Sequence, residues 1–187
     1  MQLNNIIISV IASAMLGAQA LKVDLSQPDG LYAVLKDSNG VEFTQLIEAI
    51  DFNTTDPTPP ELLEGGAAKK AKRALSKRAL SKRESVGCQG KLMNTGDCDA
   101  VVNALKNYCG GGTGFPYSKT YWRQGNTFAY MCDYPGGQLC YSSHATHAFA
   151  SITRTCGSYH TGWYHDNGKT YGYDYTTDGN IGFCGNM

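Results

Sequence analysis

All seven cysteines of this 187-residue chain lie beyond Arg83, and none occurs in the 83 residues before that point. Covalent cross-links can therefore staple only the second part, and a density of seven cysteines in 104 residues reads as a disulfide framework made in an oxidising compartment. The boundary is itself marked. Three Lys-Arg pairs, Lys72-Arg73, Lys77-Arg78 and Lys82-Arg83, recur at a five-residue interval in the run KAKR-ALSKR-ALSKR. Paired cations on an exposed polar backbone are what the acidic pockets of a kexin-type protease take up. The pattern predicts a pro-segment over 21–83 and a cysteine-rich product over 84–187.

The first twenty residues point the same way. An apolar run from Ile6 to Ala12 is followed by Ala18-Gln19-Ala20, the small-x-small pattern of signal-peptide cleavage, which places a cut after Ala20 and sends the product out of the cell. The run is shorter than the roughly 20 apolar residues that cross a bilayer, so no membrane span is expected. A basic run could instead be a nucleic-acid arm or a nuclear-localisation patch. The regular spacing, the signal and the adjoining cysteine block favour processing.

A formal net charge of zero conceals segregation along the chain. Between Leu21 and Arg83 nine acids all fall between Asp24 and Glu64, and eight of ten bases fall between Lys69 and Arg83. The product keeps six bases against seven acids, a formal charge of −1. Binding a polyanion takes a clustered excess of Lys and Arg, so nucleic acid is not an expected partner.

The disulfide candidates are Cys88, Cys98, Cys109, Cys132, Cys140, Cys156 and Cys184. The odd count leaves one thiol over, and the spacing does not choose among the possible pairings. In an oxidised domain that thiol is expected to be buried, glutathionylated or paired between chains rather than to act as a nucleophile. No Cys-x-x-Cys is present, which argues against a zinc site.

Within the pro-segment, Leu31 to Leu46 alternates around Asn39-Gly40, a dipeptide suited to a tight hairpin turn, and this suggests a small folded unit. Asn53-Thr54-Thr55 is the only glycosylation sequon. Such a segment can assist disulfide folding, or it can cover an active surface until export.

In the product, apolar residues at Ala100, Val101, Ala104, Leu105 and Tyr108 have helical spacing, with Thr95 or Asp97 as cap and Gly110 as stop. A second helix carries Ala145, Ala148, Phe149, Ile152 and Cys156, is capped by Ser142 or Ser143, and ends at Gly157. Lys119 to Arg123 and Thr127 to Cys132 read as paired strands. Asn167-Gly168 joins His160–Asp166 to Lys169–Tyr175 by a two-residue turn, which sets Asp166 opposite Lys169, Tyr164 opposite Tyr171, Gly162 opposite Tyr173 and His160 opposite Tyr175. A tyrosine face should then pack under the helices. With a last strand near Ile181 to Cys184, the expectation is an α+β sandwich of about five antiparallel strands and two helices.

Four histidines, His144, His147, His160 and His165, are the side chains suited to acid/base chemistry near neutral pH. His144 and His147 share a helix face but lack an evident third metal ligand. A nuclease pairing glutamate with histidine would have to use Glu84, the sole glutamate beyond Arg83, at the new amino terminus. No Gly-x-Ser-x-Gly motif is present. Placing the tyrosines inside puts Trp163, His165 and Asp174 on the outer face, which makes them recognition candidates.

In Gly87-Cys88, Gly-x-x-x-x-Tyr-x-Cys over Gly125 to Cys132, Cys140, Thr155-Cys156-Gly157, Gly162-Trp163, Tyr171-Gly172 and Cys184, the chain resembles fungal secreted precursors of the killer-toxin and necrosis-inducing effector group. The resemblance implies a small α/β sandwich that acts without a cofactor on a surface component of a competing or host cell. A secreted non-enzymatic toxin or effector is thus the leading expectation. A secreted cell-wall or carbohydrate-binding protein is the alternative, and a small secreted hydrolase using His160 or His165 the third.

Overall fold

The computed structural model describes residues 21–52, 84–182 and 184. The signal cut at Ala20, the sequon at Asn53 and the six Lys-Arg residues lie outside the described residues. The fold is α+β, with one seven-stranded antiparallel sheet and two helices.

In chain order the elements are β1 (Leu21–Lys22), β2 (Gly30–Lys36), β3 (Glu42–Ala49), β4 (Ser85–Leu92), α1 (Thr95–Cys109), β5 (Thr113–Gly114), β6 (Lys119–Gln124), β7 (Thr127–Asp133), β8 (Leu139–Cys140), α2 (Ser142–Cys156), β9 (His160–Asp166), β10 (Lys169–Tyr175) and β11 (Asn180–Ile181). The main sheet runs β3-β2-β6-β7-β10-β9-β4, while β1 pairs with β11 and β5 with β8. Five main-sheet strands thus come from residues beyond Arg83. The other two come from the segment before the Lys-Arg run.

The hairpin β9–β10 has the expected register, with Asp166 opposite Lys169, Tyr164 opposite Tyr171 and Gly162 opposite Tyr173, but the ladder ends there: His160 pairs with Leu92 of β4 and not with Tyr175. Asn167 and Gly168 adopt φ of 49° and 78°, the left-handed pair that a two-residue turn needs. Tyr164, Tyr171 and Tyr173 join Val101, Leu105, Ala145, Phe149 and Ile152 in the core beneath the helices. The tyrosine face is therefore inside.

Two expectations need correction. The fifth strand of the product is β4, not the chain end, because Ile181 pairs with Leu21 and Cys184 is bridged to Cys132. Its sequence, SVGCQGKL, has two glycines and no alternation, so it carries no strand signal. Gly87 nevertheless has a steric role, since a Cβ there would stand 2.3 Å from Cε2 of Trp163. Second, the helix caps lie just outside the expected positions: the Asn94 side chain accepts from the Asp97 amide at 3.1 Å, and Tyr141 precedes α2 without a side-chain cap.

Three disulfides join Cys88 to Cys156, Cys109 to Cys140 and Cys132 to Cys184. They tie β4 to α2, the end of α1 to β8, and β7 to the chain end. Cys98 is the free thiol, buried at 4% exposure. Burial, with the Asp99 and Asp97 carboxylates adding, pushes its pKa from 9.0 up to about 12.

Between those pH values the native state holds a proton that the unfolded chain releases, so Cys98 contributes stability below pH ~9 that is lost as pH rises toward ~12. At neutral pH, iodoacetamide should leave the folded protein unmodified and should add one adduct, at Cys98, once urea unfolds the chain without reductant. Rapid labelling of the native state, read by intact mass, would contradict this burial.

Candidate functional site

A cleft of about 290 Å³ opens between α2 and the β9–β10 turn. His144 and His147 line it from the helix, Tyr164 and Tyr171 from the sheet, and Asp166 and Lys169 from the turn. The three-residue spacing sets both imidazoles on one helix face. Strand alternation sends Tyr164, Asp166, Lys169 and Tyr171 to the helix side of the sheet.

The His147 ring meets Tyr164 edge-on, with centroids 5.6 Å apart, and His144 meets Tyr141 at 5.2 Å. Glu84 reaches the same rim. Its Oε2 is 4.0 Å from Nε2 of His147, and its carboxylate stands beside the Tyr164 phenol. Burial, with Asp166 and Glu84 adding, pushes the Tyr164 phenol up to about 12. The sequence marks Glu84 only as the new amino terminus; the pairing of β4 with β9, in which Val86 faces Tyr164, is what brings it to the cleft.

Tyr171 is the most distinctive group. Its hydroxyl is buried and has no hydrogen-bond partner among the described residues, although the side chain lines the cleft. Burial first, and the Asp133 carboxylate second, push its pKa up to about 12. Asp133 is itself buried: its Oδ2 accepts from the Gln138 amide at 2.7 Å, while its Oδ1 has no partner. Lys169 donates to the Leu139 carbonyl at 2.7 Å. The cleft thus offers two tyrosine rings, two imidazoles and a lysine.

The other two histidines lie elsewhere. Nδ1 of His165 is 2.9 Å from the Thr170 hydroxyl on the opposite face of the sheet, and Nδ1 of His160 is 2.9 Å from the Ser158 carbonyl at the far end of β9. The four histidines therefore do not converge. Among the described residues no three His, Cys, Asp or Glu side chains cluster as a metal site, and no helix is long and apolar enough to cross a membrane.

Trp163, His165 and Asp174 do occupy the face away from the helices, but that face is not open. A second core covers it, made by Leu21, Val23, Tyr32, Val34, Tyr121, Phe128, Tyr130 and Ile181, with Trp163 packed against its margin. Asp174 is only 2% exposed; burial raises its pKa, opposed by Lys91 at 3.6 Å. Of the three, Asp174 is thus covered, while Trp163 and His165 are half-buried; the layer over this face combines Leu21 and Val23 with Ile181, and Lys91 stands beside Asp174. Comparison with protein-family models, curated proteins and solved structures found no match.

A buried hydroxyl without a partner costs stability, so Tyr171→Phe should raise the unfolding free energy by about 1 kcal/mol at neutral pH. Urea denaturation measures it. A loss of similar size would show that the hydroxyl is satisfied.

Proposed function

We propose that this chain is the precursor of a secreted, non-enzymatic toxin- or effector-type protein, released by a kexin-type protease at the Lys-Arg pairs and directed at a surface component of a target or host cell. The observation that carries this reading is the placement of the bridges. All three join residues beyond Arg83 and none crosses the Lys-Arg run, so a cut there severs no staple. The disulfides require an oxidising compartment, in keeping with export. A cut after Arg83 would make Glu84 the first residue and create a free α-ammonium beside His147 and Tyr164, so that processing finishes the rim of the cleft.

Dispersed histidines support a recognition role over acid/base chemistry, since a general base and its partner act within hydrogen-bond reach of one reacting group. A carbohydrate-binding reading is favoured by one feature: Tyr164 and Tyr171 line the cleft as an aromatic wall beside two imidazoles, groups that stack on and pair with sugars.

Purified, cleaved protein applied to fungal, bacterial and plant cells should arrest growth or cause necrosis in at least one of them, and reduction of the three bridges should abolish the effect. Inertness toward all three would overturn the toxin reading. Binding on a glycan array that His144→Ala removes would instead establish the carbohydrate reading.

A further inference from the structure

We infer that the segment from Leu21 to Phe52 is not shed on cleavage at the Lys-Arg pairs but stays as a non-covalently held second chain, so that the working protein has two chains sharing one sheet. The inference rests on the processing proposed above. It starts from the sheet order, in which β2 lies between β3 and β6 and pairs with β6 from Gly30 opposite Arg123 to Ala33 opposite Thr120.

Alternate residues of β2 enter both cores. Leu31 packs beneath the helices with Trp122, while Tyr32 and Val34 pack on the other face with Tyr121 and Phe128. The Tyr32 and Tyr121 rings stack at 5.0 Å and 6°. Leu21 and Lys22 pair with Ile181 and Asn180, and the Val23 amide donates to the Gly179 carbonyl at 2.8 Å.

Polar contacts fix the register. Arg123, 4% exposed, donates from Nη1 to the Gln27 carbonyl at 2.5 Å and from Nη2 to the Leu25 carbonyl at 2.6 Å. The Gly125 amide donates to Oδ1 of Asp29 at 2.9 Å, and Lys119 pairs with Glu42 at 2.6 Å. Departure of the segment would strip β6 of a strand, remove two acceptors of a buried guanidinium, leaving only the Gly125 carbonyl on Nε, and open an aromatic face of Tyr121, Phe128 and Tyr130 to water. Large exposed apolar faces and bare sheet edges are not stable in a soluble monomer.

The covalent link adds nothing to these contacts. Phe52 follows β3 and Glu84 precedes β4, the two opposite edges of the sheet, about 29 Å apart at the usual strand spacing. The 31 residues between them can extend to about 100 Å, so the link places no constraint on the pairing. Cutting it removes a tether and leaves the interface intact.

The test starts from the oxidised full-length precursor, cut with a Lys-Arg-specific protease and followed by denaturing mass spectrometry and by gel filtration under native conditions. Two masses that co-elute as one native species are expected, and co-elution should survive 1 M salt because apolar burial dominates the contact. Leu31→Ala should weaken association by about a hundredfold, and the milder rim variant Glu42→Ala by less than tenfold. A folded 84–187 species eluting without the smaller chain would overturn the inference while leaving the processing reading standing. An uncut chain in the denaturing spectrum would overturn the processing reading and the inference together.

Discussion

Strand β7 is buried at every one of its seven positions, and the rest of the structure follows from that. A strand dry on both faces needs a layer on each side and a neighbour on each edge. The helices supply one layer, through Ala129 and Met131. The other layer, over Phe128, Tyr130 and Cys132, has no helix and is built from two segments distant in the chain, Leu21, Val23 and Leu25 on one side and Ile181 and Cys184 on the other, together with Tyr32 and Val34. Hence the segment ahead of the Lys-Arg run is a structural layer rather than an appendage.

Covalent and non-covalent fastening divide along the same line. The bridges pin the helix layer and the chain end, each worth about 2–4 kcal/mol against the unfolded chain. The cysteine-free hairpin β2–β3 has no staple and relies on buried side chains, roughly 1.5–3 kcal/mol for each large one fully covered. Close approach sharpens the packing at the joint between the layers. A Cβ on Gly162 would lie 2.8 Å from the Gly87 carbonyl, 2.9 Å from Cγ2 of Ile152 and 3.1 Å from Sγ of Cys156, so the Cys88–Cys156 staple closes only because position 162 has no side chain.

Local signals were readable and remote ones were not. The β9–β10 register could be written residue by residue because a two-residue turn leaves no slack, and the tyrosine face followed from it. The helices were placed by periodicity, with ends displaced only where Asn94 and Tyr141 took the capping positions. Strand β4 escaped notice because its glycines serve neighbours, Gly87 making room for Trp163. The burial of Asp174 has the same origin: its face was correctly assigned, but Lys91 and the layer of Leu21, Val23 and Ile181 come from distant parts of the chain, and no local pattern reports that. The cleft was half legible, its histidines from helical spacing and its tyrosines from strand parity. Glu84 entered through an edge pairing that the sequence does not signal.

The two faces of the sheet therefore have different roles. The face around Asp174 is closed by packing, and Asp174 shows the consequence, a carboxylate whose burial opposes its charge despite Lys91 nearby. On the helix side, α2 lies over β9, β10 and β4, and the polar margin left beyond its apolar stripe meets the β9–β10 turn. Tyr171, Asp166 and Asp133 each hold a buried, unpartnered oxygen on this side of the sheet, at the limit of what the helix covers. A recognition surface is best placed there, on rigid elements braced by the Cys88–Cys156 bridge and bordered by the residue that a cut after Arg83 would leave first.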